Sequence, residues 1–183
     1  MKKLIVVVDM QNEFLNWQPD DVKNTLPTKI ADYLREEVNE AEDDIMVIFT
    51  RDTHLKKNYH EYWESHTYDL HCEKDTHNWK LCDEIQICKN EIGVKIDTLV
   101  VDKNTFGEYD AIKKRLKLYN YTPDLVIVIG LTTNICVLAN MVMLNAILPK
   151  ATIATIEKLT YGTSAEAKTK ALDIMKDMGF SIV

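Results

Sequence analysis

The sequence predicts an α/β fold, a three-layer α-β-α arrangement around a central, mostly parallel sheet. Three observations predict it. Short apolar, β-branched runs at Leu4–Val8, Ile45–Phe49 and Leu125–Ile129 lack the alternation of a half-solvated strand and suit strands buried on both faces. Segments with a helical apolar period separate those runs. The residues able to do chemistry fall just past the ends of the runs, which in such a sheet is one shared edge.

The first predicted strand ends at Asp9. The next stretch, MQNEFLNWQPD, reads as a loop carrying Phe14 and Trp17. Thr28–Glu42 is predicted as an amphipathic helix, because Ile30, Tyr33, Leu34 and Val38 form one stripe and Thr28 suits its cap. The second strand, Ile45–Phe49, ends near Asp52 and His54. Residues 55–77 are polar and aromatic without a period. They read as a long loop with helical turns, and long loops in compact domains are often functional. Trp79–Cys88 reads as a short helix, and Thr98–Val101 as a third strand ending at Asp102 and Lys103. A helix over Tyr109–Leu118 and the turn NYTPD lead to the fourth strand, Leu125–Ile129. Gly130 permits a tight turn, two threonines suit a helix start, and Ile135, Leu138, Met141 and Val142 recur at helical spacing. Cys136 therefore falls in a first helical turn. A strand over Ala151–Thr155, a helix over Ser164–Met178 and a short strand over Phe180–Val183 complete the chain.

The 183 residues read as one domain, 1–183, without repeats, linkers or low-complexity tracts. A net charge of −7 argues against nucleic acid or an anionic membrane as partner, since both select basic surfaces. Lys2 and Lys3 precede an apolar run that stops at Asp9, too short for a secretory signal or a membrane span. The expectation is a cytoplasmic protein acting on a small molecule, with Cys72, Cys82, Cys88 and Cys136 as reduced thiols. Association into a homo-oligomer is left open.

Asp9, Asp52 with His54, Lys103 and Cys136 each follow a different predicted strand. Free N–H groups and the helix dipole favour a thiolate at Cys136, predicting a pKa below the free value of about 8.5. The Cys136 amide and one from Gly130–Thr133 could hold an oxyanion. Asp9 can take the thiol proton, and Lys103 can favour the thiolate and keep Asp9 ionised. The competing readings are a small buried core cysteine and a structural Asp–Lys pair tying two strands. Asp52 and His54, two residues apart, and the later His71 offer one carboxylate and two imidazoles to a divalent ion. His60, His66 and His77 read as solvated.

VVVDMQNEF, DKNTFGEYD and GLTTNICVLAN, in that order, resemble the isochorismatase-like cysteine hydrolases, and within them the nicotinamidase/pyrazinamidase branch. The likeness runs from residue 4 to about residue 160. It implies a Rossmann-like hydrolase fold, a catalytic triad of Asp9, Lys103 and Cys136, and a non-proline cis peptide near Leu131–Thr132 that aims the Thr132 and Cys136 amides into an oxyanion hole. Members that cleave the isochorismate enol ether lack the cysteine, so Cys136 implies C–N hydrolysis. The resemblance also implies a metal in the loop at about 52–77, held by Asp52, His54, His71 and a fourth ligand. Glu64 is the best match, with Glu61 and His60 as alternatives. Zn²⁺ leads, and Mn²⁺ or Fe²⁺ also suits these ligands. Phe14, Tyr68 and Phe106 fall where the family places aromatics around a flat heteroaromatic ring, and Trp63 either closes the loop or packs. Asn134 stands where the family usually has aspartate. The implied reaction converts nicotinamide to nicotinate and ammonia through a cysteine thioester. The alternative is the same triad acting on another amide or ureido substrate.

Overall fold

A computed structural model describes residues 1–40 and 44–183. Its strands are β1 (Lys2–Val8), β2 (Asp44–Asp52), β3 (Asp97–Lys103), β4 (Leu125–Leu131), β5 (Thr152–Thr155), β6 (Thr160–Tyr161) and β7 (Ser181–Ile182). They form one seven-stranded sheet in the order β3-β2-β1-β4-β5-β7, with β6 paired to β4. Each of these pairings is parallel. The helices are α1 (Asn12–Asn16), α2 (Asp20–Asn39), α3 (Asp83–Ile92), α4 (Asp110–Leu118), α5 (Leu138–Ile147) and α6 (Ala165–Asp177).

The continuous apolar runs bury both faces of the sheet, as a parallel sheet requires. Alternate residues split between two cores. Ile5, Val7, Val47, Phe49, Ile127 and Ile129 pack under α2 and α3. Leu4, Val6, Val8, Met46, Ile48, Val126 and Val128 pack under α4, α5 and α6. Full burial of such a side chain contributes about 1.5–3 kcal/mol, so the central strands dominate the core. Among the described residues, no helix is long and apolar enough to cross a membrane.

Several element boundaries differ from expectation. The residue 10–20 stretch contains α1, which buries Phe14 and Leu15. Helix α2 begins at Asp20, eight residues before the predicted start, and runs through Pro27. Proline inside a helix costs roughly 3 kcal/mol. Here Val22, Leu26, Ile30, Ala31, Leu34 and Val38 form one buried stripe across it, and that burial outweighs the lost bond. The predicted end at Glu42 lies outside the described residues. Helix α3 starts at Asp83 rather than Trp79, because Leu81 is drawn into an antiparallel bridge with Gln11 and the Trp79 indole donates to Thr53 Oγ1 at 2.8 Å. After β4, the chain enters a π-helical turn, Thr133–Val137, before α5. The regular helical turn expected around Cys136 is therefore replaced by a wider one. Strand β6 has too few residues to leave a periodic signal.

The strand order reverses between β1 and β4. Ligands of open parallel sheets bind outside the carboxyl ends of strands at such a switch point. The chain closes that point tightly at Gly130, whose φ is +115° and whose absent Cβ would lie 2.2 Å from the Val8 carbonyl oxygen. Gly130→Ala should accordingly lower folding stability by at least about 3 kcal/mol, measured by denaturant unfolding; near-native stability would show that β1 and β4 can separate there.

Candidate active site

Asp9 follows β1 directly, with φ of +49°, and is fully buried. Its main-chain N–H lies 3.2 Å from both the Thr50 carbonyl and Thr50 Oγ1, and Thr50 Oγ1 donates back to Asp9 Oδ1 at 2.7 Å. Lys103 ends β3, in register with Asp52. Two inter-strand steps of about 4.8 Å separate β3 from β1, and the lysine stem crosses β2 to reach Asp9. Its Nζ lies 2.7 Å from Asp9 Oδ2, 3.3 Å from Asp52 Oδ1 and 3.8 Å from Cys136 Sγ. Cys136 sits in the π turn after β4, and Leu131–Thr132 is a cis peptide. Thr132 and Cys136 both face the cavity described below.

Burial acts to lower the pKa of Lys103, but the Asp52 and Asp9 carboxylates outweigh it and hold the ammonium well above its ordinary range. Burial pushes Asp9 up, and Lys103 pulls it back only in part, so Asp9 is a stronger base than free aspartate. Burial also pushes the Cys136 thiol well above its ordinary range; Lys103 opposes this, while Asp9 and Asp52 add to it. That corrects the expectation of a lowered thiol pKa. Enclosure of the sulfur and the two neighbouring carboxylates outweigh the helix terminus.

Four buried side chains from the carboxyl end of β2 and the loop after it converge on one point. Asp52, His54, Glu64 and His71 place their ligand atoms within 4.8 Å of one another. Asp52 Oδ2 is 3.1 Å from Nε2 of both histidines, and Glu64 Oε1 is 3.1 Å from His71 Nε2 and 3.7 Å from His54 Nε2. Ligand atoms about 2.0–2.2 Å from one ion stand about 3–3.5 Å apart, so this set fits a divalent metal. Two imidazoles with two carboxylates suit Zn²⁺, Mn²⁺ or Fe²⁺. His71 Nδ1 pairs with the Asp69 carbonyl at 2.8 Å, which leaves Nε2 for the cluster. Burial pushes the Asp52 carboxyl up, but Lys103 and both imidazoles outweigh it and hold the group far below the usual carboxylate range. Of the alternative fourth ligands, Glu61 and His60 are exposed, as are His66 and His77.

Between this cluster and the thiol lies a slot of about 70 Å³, room for roughly five waters or one small molecule. Phe14, Tyr68 and Phe106 all line it. Tyr68 and Phe106 meet at right angles with ring centroids 6.2 Å apart, and Phe14 stands 5.7 Å from His71. Sequence reasoning missed Trp17, Ile135 and Thr163, which also line the slot. Trp17 packs 5.2 Å from Phe14 and 5.5 Å from His71. Thr163 is held by Asn134, whose Oδ1 accepts from the Thr163 N–H at 2.9 Å. Trp63 is 81% exposed, stacked on His66, and does not line the slot. Gln11 was missed as well: it donates to the Asp52 and Trp79 carbonyls and accepts from the Asp52 N–H, fixing the strand end that carries the carboxylate. The QNEF motif held Gln11, but no periodicity marks its role. A larger cleft of about 730 Å³ beside Tyr33 and Ile156 has neither a nucleophile nor a ligand cluster.

The isochorismatase domain model matches residues 3–183. No curated protein matches the chain. Among solved structures, pyrazinamidase/nicotinamidase from Streptococcus mutans UA159 superposes with a TM-score of 0.81 at 19% identity, covering 99% of each chain. Pyrazinamidase of Pyrococcus horikoshii, solved in complex with zinc, gives 0.76 at 20% identity over 99% of this chain and 98% of that one. N-carbamoylsarcosine amidase from Thermoplasma acidophilum gives 0.74 at 18% identity over 100% and 95%. At these identities the likeness establishes the fold.

Burial acts to lower the His71 pKa, but the hydrogen bonds it donates to the Asp52 and Glu64 carboxylates outweigh burial and raise it to about 10. An entering ion must displace that proton. Zn²⁺ uptake should therefore release protons and tighten as pH rises toward 10, and His71→Ala should weaken it at least about tenfold. Calorimetry in buffers of different ionisation enthalpy reads both effects; unchanged affinity in the variant would place the ion elsewhere.

Proposed function

The chain belongs to the isochorismatase family, and from that premise we propose that it is a metal-dependent amidohydrolase that converts nicotinamide to nicotinate and ammonia, feeding pyridine nucleotide salvage. One observation carries this reading. Cys136 lines a single aromatic slot together with Asp52, Glu64 and His71 of the ligand cluster, and among the described residues lining it none is lysine or arginine. A neutral, flat amide with a ring nitrogen matches the thiol, the ligand cluster and the aromatic walls. A ureido acid such as N-carbamoylsarcosine has no aromatic ring and no ring nitrogen, so it leaves the aromatic walls and the ligand cluster unmatched.

A divalent ion at the cluster would supply a Lewis-acidic anchor for the ring nitrogen. The remaining chemistry belongs to the chain's own residues. Asp9 accepts the Cys136 proton as sulfur attacks the amide carbon, and its burial-raised pKa suits it to that task. Lys103 balances the negative charge that passes between Asp9 and sulfur. The Thr132 and Cys136 N–H groups receive the developing oxyanion. Asp9 then returns the proton to the departing ammonia, leaving a thioester. Asp9 next takes a proton from a water that attacks the thioester carbon, and the released thiolate is reprotonated.

With Zn²⁺ supplied, the purified protein should release ammonia from nicotinamide and prefer it to N-carbamoylsarcosine by at least about a hundredfold in kcat/KM. The reverse preference would assign the ureido reading instead. Cys136→Ala should lower kcat at least about a thousandfold; a variant that keeps its rate would remove the covalent route.

A further inference from the structure

Asn140 in α5 touches both the turn that bears the thiol and the loop that bears one wall of the slot. The side chain is fully buried. Its Nδ2 donates to the Cys136 carbonyl at 2.7 Å and to the Phe106 carbonyl at 3.2 Å, and its Oδ1 accepts from the Glu108 N–H at 3.1 Å. Both donors and the acceptor are thus engaged. A buried amide so matched resists displacement, because moving any partner leaves an unsatisfied group.

Gly107 makes this arrangement reachable. A Cβ there would lie 3.0 Å from Met143 Cγ and 3.1 Å from the main-chain carbon and oxygen of Ala139. Residues 106–108 therefore rest directly on the backbone of α5, with Asn140 between them and Cys136. The Phe106 ring then stands perpendicular to Tyr68 across the slot. Serine or threonine at position 140 would offer one donor in place of two, and aspartate would offer none.

We propose that Asn140 is a positioning residue that sets the gap between the Cys136 thiol and the Phe106 wall, and through it the enzyme's selectivity for a flat ring. This rests on the amidohydrolase reading above. Asn140 touches neither Asp9 nor Lys103 among its hydrogen-bond partners, so its effect falls on ring placement and spares the intrinsic reactivity of the sulfur. Sites of this kind must hold their groups to within about 0.5 Å, and a shift of about 1 Å can cost about a hundredfold.

The test uses the metal-loaded protein and 3-methylpyridine, a neutral ring that carries a ring nitrogen and no bond to hydrolyse. Alkylation of Cys136 by iodoacetamide, followed by mass spectrometry, gives the concentration of 3-methylpyridine that half-protects the thiol. In Asn140→Ala that concentration should rise about tenfold, while the unprotected alkylation rate stays within about twofold of wild type. KM for nicotinamide should rise by a larger factor than kcat falls. Gly107→Ala keeps the Asn140 amide and lifts the loop off α5 by a few tenths of an ångström; it should shift protection in the same direction, and it stands in if Asn140→Ala does not fold. Unchanged protection in the variants overturns the proposal, as does a loss of alkylation by the same factor as the loss of protection. If 3-methylpyridine fails to protect even the wild-type thiol, the amidohydrolase reading fails and takes this inference with it.

Discussion

The carboxyl edge of this sheet depends on one buried ammonium. Lys103 is the cation shared by Asp9, Asp52 and Cys136, all of them removed from water. Two carboxylates this deep would repel one another and stay costly without a cation between them. An ammonium at the same depth would lose its proton without the carboxylates. Each charge is tolerable because the others are there, so the three strand ends must meet.

Asp52 gives that arrangement a second consequence. Its Oδ1 faces Lys103 and its Oδ2 faces His54 and His71. A single carboxylate thus joins the thiol–base pair to the prospective metal ligands. Gln11 clamps the main chain of Asp52 on both sides, so the register of β2 against β1 is carried directly into the position of that carboxylate. The charged groups then stand on rigid strand ends, while the aromatic walls come from α1 and the longer loops.

Two corrections show where local reasoning stops. Thr28 suited a helix cap by its own chemistry, yet the apolar stripe continues before it through Val22 and Leu26 and carries the helix across Pro27 from Asp20. Cys136 looked like an activated thiol because it follows a strand and opens a helical segment. Its actual pKa direction follows from enclosure by elements far away in the chain. In both cases a tertiary burial term exceeded a local preference.

The sequence by itself determined the layered α/β architecture, because strands buried on both faces must be continuous apolar runs and the intervening helices must be amphipathic. It also determined which strand ends carry Asp9, Asp52, Lys103 and Cys136, since position along a strand is a property of the chain. Glu64 and the aromatics Phe14, Tyr68 and Phe106 were legible through ordered motifs, whereas their spacing alone left them ambiguous. Only the tertiary structure decided that Trp17, Ile135 and Thr163 share the slot, that Gln11 and Asn140 brace it, and that burial pushes the thiol pKa up. Those facts depend on distances between segments remote in sequence, and on burial, which no local pattern of residues encodes.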